Sequence, residues 1–429
     1  MISRITLFTA AVALLGLVPG RVQAQGSPQY STVSAGCLGD QACADARCTS
    51  CADVGCADGW LSPGLFGRQH HPNCCCPLCH PRHAWASFDA LMWWGKGRTV
   101  PPLVTSGANG ALPDATIAFG GGTVGGGMAP GARADFGFWF DECETLGMGA
   151  KVWGLHGDSE GSYLSSPDGS TVLARPFYNI VLDQEDSFLV SSPGLIAGGV
   201  TADTSSSVLS AEAYLRSSVL AGRGYNLDLV GGYHFLRLDD DLSVFSSSVS
   251  IDPAGAVAIG TLIDVLDEFG AKNEFHGGTV GLSGEIRHGK WTVSGLAKFS
   301  VGNMHQSLHI NGSQVITAPS DVPAVWPGGI LAQPTNMGSS YSRDVTAWIP
   351  EFSITAGYDV RNWLRLTAGY NFLWISNVAL SGDQVDRVVN TTQFHGNPLI
   401  GEARPAAFDD FNNTEYWLHG LTLGLTILY

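Results

Sequence analysis

The chain closes on Tyr416-Trp-Leu-His-Gly-Leu-Thr-Leu-Gly-Leu-Thr-Ile-Leu-Tyr429. Strand side chains alternate between two faces, so Leu421, Leu423, Leu425, Ile427 and Tyr429 share one of them. The other carries Gly420, Thr422, Gly424, Thr426 and Leu428, mostly small and all uncharged. A soluble sandwich can hold such a strand. A transmembrane β-barrel suits it better, because there the apolar face meets lipid and aromatics such as Tyr416, Trp417 and Tyr429 sit at the two interfaces. An aromatic last residue, Tyr429, also matches the terminal signal read by the barrel-assembly machinery. The fold expected is therefore all-β: an antiparallel transmembrane β-barrel of about 12 strands, in contact with outer-membrane lipid.

Composition agrees. Charged residues are 14% of the 429-residue chain and Gly accounts for 55 positions, against about 25% and about 7% in ordinary soluble domains. Beyond the N-terminus no apolar run reaches the roughly 18 residues of a helical span. The formal net charge of -16 excludes nucleic acid as a partner, since phosphate binding needs clustered Lys and Arg. It fits an acidic surface that attracts cations, or simply soluble loops.

The N-terminus has the pattern of a signal peptide over residues 1–24: Arg4, an apolar core from Ile5 to Val18, Pro19-Gly20, and the small-x-small site Val22-Gln-Ala24. Export without a helical anchor places the mature chain in the bacterial outer membrane. Residues 25–83 form a second unit, a cysteine-rich periplasmic segment. Nine of the ten cysteines lie between Cys37 and Cys79. Export favours disulfides there; the Cys48-Thr-Ser-Cys51 and Cys76-Pro-Leu-Cys79 pairs beside His70, His71, His80 and His83 also permit a metal, and disorder is the third reading. Cys143, in a predicted turn, is a candidate to pair with one of the nine.

The barrel is expected over 84–429. Strands are read at Trp85–Trp94, Ala132–Phe140, Leu146–His156, Thr171–Val181, Ser187–Thr201, Ser207–Leu220, Tyr225–Leu238, Glu274–Arg287, Trp291–Gly302, Arg343–Tyr358, Leu364–Trp374 and the terminal stretch. Short turns at Asp141, His288 and Asp359 then share one end, and the long connections near 95–130, 239–273, 311–342 and 377–410 share the other, as in known outer-membrane barrels. Trp94, Trp374 and Trp417 are expected in the outer girdle, with Trp85, Trp139, Trp291 and Trp363 in the inner one. The inner face should carry Asp89, Arg133, Asp135, Lys151, Glu212, Arg216, Asp228, Glu285, Arg287, Lys298, Glu351 and Arg365.

Catalytic signatures are missing. The Gly120–Gly127 run lacks the lysine of a phosphate loop, and Gly281-Leu-Ser-Gly284 misses the nucleophile-elbow spacing. His305 and His309 share a strand face but stand too far apart for an unaided metal site. Asp239-Asp-Asp241 with Asp264, Asp267 and Glu268 reads as one acidic outer loop, solvated or cation-binding. Catalytic, cofactor-binding and metal residues are each expected to be none, and the protein is not expected to be an enzyme.

Several stretches resemble a known family. They are Leu91-Met-Trp-Trp94 with Pro101-Pro-Leu-Val-Thr105, Gly131-Ala-Arg-Ala-Asp-Phe-Gly-Phe-Trp139, Leu173-Ala-Arg-Pro-Phe-Tyr-Asn179, Gly302-Asn-Met-His305, Pro350-Glu351, and Leu366-Thr-Ala-Gly-Tyr-Asn-Phe-Leu-Trp-Ile-Ser-Asn-Val378 leading to Gly382-Asp-Gln-Val-Asp386. In this order they are similar to the planctomycete-type seventh putative β-barrel porin family, over about residues 85 to 429. One departure is Leu380-Ser381, where an Arg-Pro pair is expected. The resemblance implies an outer-membrane barrel. From the lumen composition the first expectation for function is a passive diffusion channel for small hydrophilic solutes. The alternative is a plugged anchoring barrel, linked through its cysteine-rich segment to periplasmic partners.

Overall fold

The computed structural model describes residues 83–141, 144–157, 159–222, 224–255, 257–394 and 411–429. The signal peptide, the cysteine-rich segment up to residue 82, and Cys143 lie outside the described residues. What remains is all-β, apart from two single-turn 3-10 elements.

Ten strands close a ring. They are β1 (Ala84–Gly95), β2 (Met128–Trp139), β3 (Leu146–Leu155), β4 (Ile196–Gly222), β5 (Tyr225–Ser250), β6 (Leu262–His288), β7 (Trp291–Thr317), β8 (Gly338–Arg361), β9 (Leu364–Ala379) and β10 (Asn413–Leu428). Each pairs antiparallel with the next. The ring shuts where β10 pairs β1, from Trp85↔Leu428 to Gly95↔Leu418. Two short strands, Ser159–Ser166 along β4 and Ala324–Pro327 along β7, bring the sheet to 12. Closure leaves no edge inside lipid, where an unpaired backbone group would go unsatisfied.

Alternation sorts the faces as the terminal stretch requires. Leu421, Leu423, Leu425 and Ile427 face out, while Thr422 is buried inside. On β6 the outward row is apolar from Ile286 through Leu282 and Val280, then turns polar at His276. That is about the 9–11 residues a tilted strand needs to cross a bilayer. The outer rim carries a linked aromatic girdle: Trp348 and Trp374 lie 4.2 Å apart, and His419 stacks with Trp94. At the opposite rim Trp291 packs on Tyr358. Trp85 and Trp139 depart from the expected girdle. Their strand parity turns both into the bore, where Trp85 Nε1 donates to Asp135.

The wall is uneven. β1, β2, β3, β9 and β10 have 10 to 16 residues, whereas β4 to β8 have 24 to 27. The tall strands run well beyond the apolar band. The expected long loop at 239–273 is therefore mostly strand, with only a short connection between Ser250 and Leu262. Its acidic run is split by the pleat: Asp240 and Asp267 are wholly buried inside, with Asp239 on the outer face. The connection at 311–342 is likewise shorter than expected, because β7 continues to Thr317 and β8 starts at Gly338.

Four of the five outer connections turn inward. Three of them build a five-stranded sheet whose path runs Gln184–Ser191, Leu173–Asn179, Val104–Ser106 and Thr116–Phe119, with Val388–Val389 beside the second strand; the fourth, between Thr317 and Gly338, adds Ile330, Leu331 and Ala332 to the same core. Thr171–Val181, expected in the wall, thus belongs to this plug, and Ser187–Thr201, also expected there, is divided between plug and wall, supplying the start of β4. Apolar plug residues such as Leu103, Phe177 and Val190 meet Val200, Leu242, Val244 and Phe269 on the inner face of the tall strands, forming one core.

Candidate functional site

The bore is the one interior that a barrel of this kind can put to use, and its contents are arranged in levels. The short turns (Gly222 to Tyr225, His288 to Trp291, Arg361 to Leu364) mark one end. A polar vestibule of about 320 Å³ opens there. Its walls carry paired charges: Arg133 donates to Asp89 at 2.8 Å, Arg216 to Asp228 at 2.5 Å, and Arg365 to both Asp359 at 2.7 Å and Glu285 at 3.2 Å. Arg216 also lies over the rings of Trp85 and Trp139, 5.8 and 5.2 Å from their centroids, within cation–π range.

Four buried charges meet above the vestibule. Lys151 of β3 lies 2.8 Å from Glu212 of β4 and 3.1 Å from Glu351 of β8. Lys298 of β7 is 2.9 Å from Glu351 and also pairs with Glu212. Adjacent strands hold Lys151 beside Glu212 and Lys298 beside Glu351, so the other two contacts span the bore. His234 sits next to them, its Nε2 3.1 Å from Ser210 Oγ and its Nδ1 2.9 Å from Ser300 Oγ. Burying charge is costly unless it is paired and hydrogen-bonded. Each member here has two partners of opposite sign.

Apolar side chains fill the next level. Leu91, Trp93, Trp153, Leu236, Phe275, Met304, Ile349, Leu373 and Ile375 all point inward and form one packed cluster. Trp93 and Trp153 lie 5.1 Å apart.

Buried polar contacts pin the plug above. Arg98 donates to Asp240 of β5 at 3.0 Å, and Ser381 N and Oγ donate to the same carboxylate at 2.8 and 2.6 Å. Arg175 pairs with Asp267 of β6, which also accepts from the backbone of Ile330, Leu331 and Ala332. Below them, Asn273 of β6 ties two wall strands together, exchanging two hydrogen bonds of 2.8 Å with the backbone of Ala379 at the end of β9. Burial pushes the Asp240 carboxyl above its ordinary range, with Arg98 and Ser381 pulling the other way. Asp383 is raised as well, by burial first.

All twelve charged residues expected on the inner face are there. Eleven line the vestibule, and Asp228 lies behind Arg216. Pairing across a plugged lumen is one of the two arrangements the sequence allows for these charges; it leaves open which residues pair, the apolar level, and which connections form the plug. A signal existed for the apolar level: Leu91, Trp93, Leu373 and Ile375 sit at inward parity, where lumen residues were expected to be polar. His305 is held by Asp344 at 3.0 Å on the outer face. Among the described residues no group of three or more His, Cys, Asp or Glu could hold a metal ion.

Residues 85–429 match the family described as putative beta barrel porin-7. The chain belongs to this beta barrel porin-7 family. Several stretches that carry the family likeness lie in or beneath the plug: Leu103 and Val104 in its core, Arg175 on Asp267, and Gly382 packed against Thr99. As a beta barrel porin-7 protein it resides in the bacterial outer membrane. No curated protein matches the chain. Among solved structures it is similar to the outer membrane protease OmpT from Escherichia coli, with 11% identity over 82% of this chain and 98% of that one and a TM-score of 0.38. It is also similar to a Pseudomonas aeruginosa FadL homologue (8%, 81% and 90%, TM-score 0.26) and to the Pseudomonas putida toluene transporter TodX (10%, 81% and 91%, TM-score 0.17).

Proposed function

We propose that this outer-membrane barrel works closed, as a plugged anchoring scaffold rather than an open pore. One observation carries the reading: Lys151 and Lys298 join Glu212 and Glu351 across the bore directly beneath an apolar level. A hydrated solute would have to separate buried ion pairs and then cross a dry layer, both unfavourable steps. The scaffold reading includes no catalysis. It gives residues 25–83, which precede β1 in the sequence, the task of engaging periplasmic partners. It also gives Tyr429, 88% exposed at the short-turn end, the task of recognition by the assembly machinery.

The second reading is the passive diffusion channel for small hydrophilic solutes. The polar vestibule of about 320 Å³ supports it, as half of a hydrophilic path. Conductance of the refolded mature protein in a planar bilayer separates the two. The scaffold predicts a folded, heat-modifiable barrel without stable steps, and stable ohmic steps would establish the channel.

A further inference from the structure

On the wall formed by β6 to β9 the vestibule presents hydrogen-bond donors that nothing uses. Register sets them side by side: Arg287↔Thr292, Thr292↔Gly357 and Gly357↔Thr367 make one continuous row across four strands. Gly357 contributes no side chain, and the arm of Arg365 lies over it. A Cβ at Gly357 would come within 2.7 Å of Arg365 Cδ. Arg365 Nη2, Arg287 Nε, Thr292 Oγ1 and Thr367 Oγ1 are all buried and find no hydrogen-bond partner among the described residues. All four residues line the cavity, and Arg365 and Thr292 are only 7% and 2% exposed. Leaving buried donors unmade is unfavourable, so such a cluster in a cavity calls for an acceptor.

From this we infer that the vestibule holds a binding site for a small monocarboxylate, cradled by Arg365, Arg287, Thr292 and Thr367. The chemistry narrows the ligand. One nitrogen of each guanidinium and two hydroxyl groups are left without a partner, which suits the two oxygens of a carboxylate. The acids beside them are already engaged, since Glu285 accepts from Arg287 and Arg365, and Asp359 from Arg365. An ammonium group finds no free carboxylate here. Because Glu285 and Asp359 balance the two arginines, a dianion such as hydrogen phosphate meets no net positive field and is disfavoured against a single charge. The site goes beyond the scaffold reading and does not depend on it: the ligand enters and leaves by the short-turn mouth whether or not the bore conducts.

Acetate is the probe. Saturation-transfer NMR on the refolded full-length barrel in micelles should show a saturable acetate signal. Thr292→Val and Thr367→Val keep side-chain volume while removing one hydroxyl each, and each should weaken half-saturation about tenfold, the loss of one hydrogen bond to a charged group. Heat-modifiable migration reports that the variants are folded. If one of the two variants does not fold, the other carries the test. Absence of a saturable signal in the wild type, unchanged half-saturation in the folded variants, or tighter binding of inorganic phosphate than of acetate would each overturn the assignment. Because no membrane potential or current enters the measurement, its outcome is independent of the conductance experiment.

Discussion

Lys151 on β3 and Glu351 on β8 touch across the bore at 3.1 Å, although four strands separate them around the ring. With Glu212 and Lys298 they form a closed square of charge. Removing one corner leaves its two neighbours buried with one partner each instead of two.

Lys151→Met is therefore expected to lower stability by about 3–5 kcal/mol, the usual effect of orphaning buried charge. The double variant Lys151→Met/Glu351→Leu should be less damaging than the sum of its two single variants, because Lys298 and Glu212 keep each other. Urea titration of the folded barrel, followed by heat-modifiable migration, gives both numbers. Equal losses that simply add would show that the crossing contact is not formed.

Adjacent residues on β10 should fail for opposite reasons. Leu423→Arg puts a cation on the lipid face near mid-membrane and should cost about 2–4 kcal/mol. Gly424→Ala adds only a methyl group, yet its Cβ would sit 1.8 Å from Asp89 Oδ1, the carboxylate that holds Arg133. Overpacking of that kind typically costs about 1–3 kcal/mol. Thickening the bilayer should worsen the first variant and leave the second unchanged, as refolding yields in lipids of two chain lengths would reveal.

Asp267→Ala should free the plug from the tall wall. It removes the acceptor for Arg175 and for three backbone N–H groups between Ile330 and Ala332. Breaking one side of a buried pair predicts a loss of about 3–5 kcal/mol, together with protease cleavage between Thr317 and Gly338 under conditions that leave the wild type intact.

The plug should also respond to pH. Asp240 and Asp383 lie beyond the membrane-crossing part of their chains, and both have carboxyls raised by burial. A folded-state pKa above the unfolded one gives stability that is complete below about pH 3.9 and is lost as pH rises through the raised value. Protection factors of amides at Ser381 and Gln384 should thus be highest in acid and fall towards neutrality. Asp240→Asn should flatten the profile, and a profile rising with pH would contradict it.

Tyr429→Ala tests the terminal aromatic. Assembly into the outer membrane should fall several-fold while refolding in detergent is unchanged. Equal loss in both would make Tyr429 a packing residue instead.

How far the molecule could be read from its residues depends on which physical fact each feature needs. Face is a matter of parity, and parity alone puts Lys151, Glu212, Lys298 and Glu351 in the lumen, where the structure has them. Their partners are not legible in this way, because alternation says which way a side chain points and nothing of what stands opposite. The tall strands were hidden by composition: Asp239-Asp-Asp241 and Ser246-Ser-Ser248 look like loop, although Leu238, Leu242 and Val244 keep the inward beat through them. Leu173–Asn179 has strand chemistry, and chemistry alone does not say which sheet a strand joins. Its burial from Leu173 through Phe177 without alternation is the mark of a piece enclosed on both faces.

The plug is drawn from four separate connections, and each begins and ends on a wall strand. It is laced rather than corked. A stopper on one flexible tether can swing aside as a body, but this one has eight points of attachment and no single hinge. A force strong enough to clear the bore from outside would have to pull out several laces together, disrupting the core they share with the tall strands. Clearing the bore and melting the outer lobe are thus one event, and resistance to pulling should track the stability of that lobe.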